Sequence, residues 1–246
     1  MRAVVDALLS VLLAADCVAC GHLLEQPTLG PVCPACWRSI LPLTPPLCDA
    51  CGSPLRTWRT ITHLSALCAR CRRSRRHVDR SRSVGLYEGA LRSIVHALKY
   101  EGRRSLAAPL ADLMRERGAE LLDGVHAVVA VPLHPSRRRE RGFNQAADLV
   151  KHLGLPISPA LRRLRATEAQ ASLPAARRHA NVRGAFRATR AADQLRGQTI
   201  LLVDDVSTTG ATLEACARAL KEAGIREVRA LTAARVAANE AAARLP

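Results

Sequence analysis

Between Ile200 and Thr212 the chain reads ILLVDDVSTTGAT, an apolar run that ends on two adjacent acids, Asp204 and Asp205, and turns through Ser207, Thr208, Thr209, Gly210, Ala211 and Thr212. Two acids at the end of a buried strand are costly unless they bind something. The hydroxyls of Thr208, Thr209 and Thr212, a glycine that admits close backbone approach, and the free N–H groups of a following helix form an anion cradle. The plainer alternative is an N-capped helix with Asp and Thr as caps. The full pattern of aliphatic run, paired acids and TTG-x-T favours the cradle.

A second group of reactive residues lies at the other end of the chain. Eight of the nine cysteines form four C-x-x-C pairs, Cys17/Cys20, Cys33/Cys36, Cys48/Cys51 and Cys68/Cys71. Each C-x-x-C turn aims two thiolates at one centre, and two turns complete the sulfur tetrahedron that zinc prefers. Disulfides and an iron–sulfur cluster are the competing readings; the even, all-paired spacing favours structural Zn²⁺. Sequential pairing spans 12 residues between Cys20 and Cys33 and 16 between Cys51 and Cys68, and crossed pairing stays open. Four sulfur ligands leave no position for an activated water. Metal binding of this kind supplies roughly 10–16 kcal/mol of folding free energy to a segment with little apolar periodicity.

Other candidates have bland explanations. Cys216 sits alone in a helical pattern and reads as a small buried apolar residue. His22, His63 and His77 read as surface or packing residues. The arginines at positions 70, 72, 73, 75, 76, 80 and 82 are equally a nucleic-acid contact and a solvated linker.

These groups need elements to hold them. A chain of 246 residues has room for one domain and a small module, expected at residues 1–80 and 81–246. Apolar residues make up 48% and aromatics only 2%, so the core must be Ala, Leu and Val. The net charge of +16 implies an anionic substrate or partner. Arginine provides 34 of the 37 basic residues, the lysines being Lys99, Lys151 and Lys221. Guanidinium groups suit phosphate, although a GC-rich genome would give the same bias. Residues 3–15 are apolar but too short to span a membrane. They resemble a signal peptide, yet the nucleotide-type site downstream favours a cytoplasmic protein without a membrane span.

From residue 82 onward, the runs SVGLY, AVVAVP, TILLVDD and REVRALTAA read as strands. Helical periodicity covers residues 90–98, 105–117, 144–153 and 211–222. The alternation implies an α/β fold with a parallel sheet covered on both faces, and such sheets bind ligands beyond the carboxyl ends of their strands. After AVVAV come Pro132, Leu133, His134 and Pro135 and a basic turn, RRRERGFNQ.

With these residues in view, VDDVSTTGAT resembles the phosphoribosyl pyrophosphate signature of type I phosphoribosyltransferases. The cysteine module, GALRSIVHALKYEGR, VPLHPSRRRERGFNQA and RATEAQASLPAARRHANVRGAF narrow the resemblance to the ComF/GntX family of competence-associated phosphoribosyltransferase-like proteins. The resemblance implies that Asp204 and Asp205 take the ribose hydroxyls and that Thr208, Thr209, Gly210 and Thr212 take the 5′-phosphate. Ser207 and Ala211 would lend backbone N–H groups. Pro132, Leu133 and His134 map to the pyrophosphate loop, with Arg138 and Arg141 nearby. Asp204, Asp205 and Arg141 are then the candidate catalytic residues, with Mg²⁺ as cofactor. Residues 167–181, with Gln170, Arg177 and Arg178, resemble a mobile hood, but this one lacks lysine and carries Glu168. Two functions follow: phosphoribosyl transfer or pyrophosphohydrolysis, and non-catalytic binding of single-stranded DNA alongside proteins of the DNA-uptake machinery.

Overall fold

The computed structural model describes residues 15–55, 66–74, 76–166 and 182–236. The apolar residues 3–14, His63, Arg75 and the hood-like segment 167–181 lie outside the described residues. The strands are β1 (Arg80–Leu86), β2 (Ala127–Ala130), β3 (Leu161–Arg163), β4 (Phe186–Ala188), β5 (Thr199–Ser207) and β6 (Glu227–Arg235). The helices are α1 (Pro34–Arg38), α2 (Ala69–Arg73), α3 (Gly89–Tyr100), α4 (Ala107–Arg117), α5 (Pro135–Arg141), α6 (Gln145–Val150) and α7 (Ala211–Glu222).

Strands β1, β6, β5 and β2 form, in that order, a parallel sheet. Strand β5 is apolar from Ile200 to Val203 because both its faces are covered there. Leu201 and Val203 join the core that includes α3, α4 and α6, whereas Ile200 and Leu202 join the one that includes α7. Each covering helix shows the spacing that burial of one face demands. In α3 the buried stripe includes Leu91, Ile94, Val95 and Leu98. In α7 it includes Leu213, Cys216, Ala217 and Leu220, which places Cys216 in the core as an apolar filler. The four strands and the α/β class agree with the sequence reading.

Two features differ from it. The basic stretch after β2 is not a turn: residues 135–141 form α5, started by Pro135 and by the His134 ring, whose Nδ1 accepts from the Ser136 N–H at 3.3 Å. Gly142, at φ +78°, ends this helix, and the Asn144 side chain caps α6. A helix of Arg and Glu carries no apolar period, so pattern reading passes over it. The antiparallel pair β3–β4 was also unanticipated. Its three-residue strands are too short to show alternation.

The cysteine-bearing segment packs directly on the sheet edge. Val32, Cys36 and Ile40 share a core with Leu91 and Ile94, and Leu86 N–H donates to the Leu41 carbonyl at 3.1 Å. A Cβ on Gly85 would collide with that same carbonyl, so glycine is required for the approach. Arg82 Nη1 donates to the Asp49 carbonyl at 3.1 Å, and Arg235 Nη1 donates to the Cys51 carbonyl at 2.8 Å. Strand β1 is thus covered rather than left as an open edge. Among the described residues no helix is long and apolar enough to cross a membrane. Because Leu202 is fully buried, Leu202→Ala should cost about 2–5 kcal/mol in urea unfolding; a loss below about 1 kcal/mol would contradict this packing.

Candidate functional site

A cavity of about 220 Å³ opens beyond the carboxyl ends of β5 and β2. Its lining includes Asp204, Asp205, Ser207, Thr208, Gly210, Ala211 and Thr212, together with Leu133 and Arg141. The remaining candidates lie elsewhere. Thr209 lines a separate hollow behind the loop, and Arg138 lines a shallow hollow with Pro135 and Gly142. Neither Pro132 nor His134 is in the pocket lining; His134 is occupied as the cap of α5. Helical geometry explains the arginines, since neighbours on α5 point about 100° apart. Arg137 and Arg141, four apart, share the pocket face.

Sequence reasoning missed several lining residues: Lys99, Tyr100, Arg137, Asn144, Gln145 and Arg163. Lys99 is the most consequential. It stands in the last turn of α3, and its Nζ lies 2.8 Å from Asp205 Oδ2. Its rarity in an arginine-rich chain was the available signal. Gln145 Nε2 donates to the Lys99 carbonyl at 3.3 Å, and its Oε1 accepts from Arg141 Nη1 at 3.4 Å. The Arg141 guanidinium also lies 5.1 Å from the centre of the Tyr100 ring.

The two carboxylates differ in environment. Asp204 is pushed up to about 7 by desolvation and then by the Asp205 charge, with Lys99 opposing. Burial works against the charge of Lys99, but Asp205 and then Asp204 raise its pKa overall. Asp205 Oδ1 accepts from the Val206 N–H at 2.7 Å, and Asp204 Oδ1 from the Asp205 N–H at 2.9 Å. Gly210 adopts φ +78° immediately before α7. The resulting pocket sets acids and hydroxyls against Lys99, Arg137, Arg141 and Arg163, an arrangement able to hold a polyol and anionic groups together.

The cysteines gather as Cys17/Cys20/Cys33/Cys36 and Cys48/Cys51/Cys68/Cys71, which resolves the pairing as sequential. Within each cluster the sulfurs lie within 4.8 Å of one another, with Cys20–Cys33 at 3.9 Å and Cys51–Cys68 at 3.8 Å. A zinc tetrahedron with Zn–S near 2.3 Å has edges of about 3.8 Å, whereas a disulfide is about 2.05 Å. The Cys33 N–H donates to Cys17 Sγ and the Cys68 N–H to Cys48 Sγ, each at 3.3 Å. Burial opposes ionisation of Cys17, yet the N–H groups around it draw the thiol down to about 6. Both clusters therefore fit structural zinc.

Comparison with known proteins agrees with this architecture. The Phosphoribosyl transferase domain family matches residues 117–244, and the Double zinc ribbon domain family matches residues 8–72. The DNA utilization protein YhgH of Salmonella typhimurium is 33% identical over 210 residues, covering 80% of this chain and 87% of the relative. The chain belongs to the ComF/YhgH family. Another family relative, competence protein F of Haemophilus influenzae, is 28% identical over 222 residues, covering 86% of this chain and 93% of its own. Among solved structures, the allosteric regulatory enzyme of purine biosynthesis matches 56% of this chain at 20% identity and a TM-score of 0.37. This chain spans 30% of that longer protein.

For this ComF/YhgH member, metal analysis should find two zinc ions per chain, and Cys51→Ser should hold one; a wild-type content below one would reject the sulfur-site assignment. The acid pair gives a second outcome. Asp204 has a folded pKa above its ordinary 3.8, so its neutral form favours the fold. That contribution is complete below 3.8 and is lost as pH rises through about 7. Lys99→Met removes the cation that offsets both charges, and should cost roughly 3–5 kcal/mol at pH 8. The cost should shrink at pH 5, where Asp204 carries a proton. Urea unfolding at the two pH values measures both; a small, pH-independent loss would contradict the ion pair.

Proposed function

We propose that the pocket binds phosphoribosyl pyrophosphate and that the protein transfers its phosphoribosyl group from pyrophosphate to an acceptor base, or to water in a hydrolysis, in the handling of DNA. The observation that carries this reading is the meeting of paired acids, a hydroxyl-rich loop at the start of α7, and Lys99, Arg137 and Arg141 around one cavity. In this reading Asp204 and Asp205 accept hydrogen bonds from the ribose hydroxyls. Ser207, Thr208, Gly210, Ala211 and Thr212 surround the 5′-phosphate, whose charge suits the helix start. The leaving pyrophosphate faces Arg137 and Arg141.

Breaking the bond from C1 to pyrophosphate builds positive charge on the sugar and negative charge on the leaving group. The two carboxylates steady the first, and the arginines the second. Lys99 keeps the acids from repelling one another while the pocket is empty of sugar. Asp205 is engaged by Lys99, which leaves Asp204 and the ligand's own oxygens as the hard donors suited to Mg²⁺. When bound, that ion neutralises charge on the pyrophosphate. Because the ionised Asp204 is the stronger acceptor for a hydroxyl, affinity rises as pH passes about 7.

The relatives named for DNA utilization and competence, with a net charge of +16, favour a second reading, single-stranded DNA binding without catalysis. One pair of measurements separates them. Calorimetry with phosphoribosyl pyrophosphate and Mg²⁺ should show binding, weakened 10-fold or more in Asp205→Asn, together with pyrophosphate release on adding an acceptor base. Neither binding nor release with any nucleobase sinks the enzyme; DNA affinity that does not fall with salt sinks the alternative.

A further inference from the structure

The loop after β5 contributes to the walls of two hollows. Ser207, Thr208 and Gly210 line the carboxylate pocket, whereas Thr209 faces a cavity of about 520 Å³ on the opposite side. Arg70 enters that rear cavity from the second cysteine cluster. It sits between Cys68 and Cys71 on α2, and its Nη1 donates to the Thr209 carbonyl at 2.9 Å across 139 positions of sequence. In a trans peptide the N–H points opposite to the carbonyl. With the Thr209 oxygen held at the rear, the Gly210 N–H is turned toward the front pocket. Glycine at φ +78° makes this peptide the easiest one in the loop to rotate, so an external restraint has something to act on.

A second tie runs from the same cluster to the start of α7. Arg76 Nη1 donates to Cys71 Sγ at 3.3 Å, while its Nη2 lies 2.5 Å from Glu214 Oε1. The other Glu214 oxygen accepts from the His77 N–H at 2.8 Å, and the Glu214 N–H donates to the Gly210 carbonyl at 2.9 Å. The loop and first helical turn are thus gripped from behind at Thr209 and Glu214.

We infer that the second cysteine knuckle positions the phosphate-binding loop: Arg70 fixes the Thr209–Gly210 peptide with its N–H facing the pocket, and Arg76 holds the first turn of α7 through Glu214. The inference builds on the phosphate-loop reading above. It gives the zinc-bearing segment a role beyond covering a sheet edge, because metal retention at Cys48, Cys51, Cys68 and Cys71 keeps both arginines in place. Loop order and metal binding are then coupled, and coupling in binding is reciprocal.

The test uses the full zinc-loaded chain without ligand. Hydrogen–deuterium exchange over residues 207–214 should quicken about 10-fold in Arg70→Met, the scale of one hydrogen bond from a charged donor. Arg70→Lys should recover part of the protection. Arg72→Ala, exposed on the same helix, should leave exchange unchanged, and exchange in β1 should stay at the wild-type rate in all three. Affinity for phosphoribosyl pyrophosphate, read in parallel, should fall about 10-fold in Arg70→Met alone. Unaltered loop exchange in a zinc-replete Arg70→Met overturns the inference. If that variant sheds zinc, Glu214→Gln carries the test through the Arg76 tie, and unaltered exchange over 211–214 then overturns it. Faster exchange in Arg70→Met with no ligand binding by the wild type upholds the positioning role and defeats the proposed function instead.

Discussion

Two neighbouring carboxylates at the mouth of a parallel sheet constrain nearly everything around them. Successive residues of a strand face opposite sides, so Asp204 and Asp205 present their charges to different helical layers. Each layer supplies a cation. Lys99 comes from α3 on one side and meets Asp205 directly. Arg163 comes from β3 on the other, its guanidinium 5.2 Å from the centre of the Phe186 ring, and its charge opposes the rise that burial imposes on the Asp204 pKa. Without these charges the acids would sit desolvated and mutually repelling. Their placement therefore depends on where α3 ends and on the small β3–β4 pair.

Seen this way, the buried stripe of α3 is part of the site's construction. Leu91, Ile94, Val95 and Leu98 settle the rotation of the helix, and that rotation delivers Lys99 to the rim one residue later. On the opposite face the stripe of α7 does the same for the loop that precedes it. Core packing and site geometry share the same side chains, since a rigid frame is what holds charged groups at short range in a desolvated pocket.

The cysteine-bearing segment extends that frame. It has little apolar periodicity, and its sulfur clusters supplement the few apolar residues, Val32 and Ile40 among them, that it lends to the shared core. Once ordered, it shields β1 and meets the end of β6 through Arg235, which also donates to Ser53 Oγ at 2.7 Å. Its arginines reach the rear of the loop after β5. Chain segments far apart in sequence thus converge on one short turn.

Much of this was legible in the residues alone. The α/β class, the four parallel strands, the four C-x-x-C pairs and the run from Asp204 to Thr212 all follow from local order, because periodicity, C-x-x-C spacing and contiguous motifs are properties of neighbours. The sulfur pairing, the presence of Arg137 rather than Arg138 in the pocket lining, the diversion of His134 to a helix cap and the partnership of Lys99 with Asp205 emerge only in three dimensions. Each depends on the rotation of a helix or on a contact across many residues, and a linear sequence records neither.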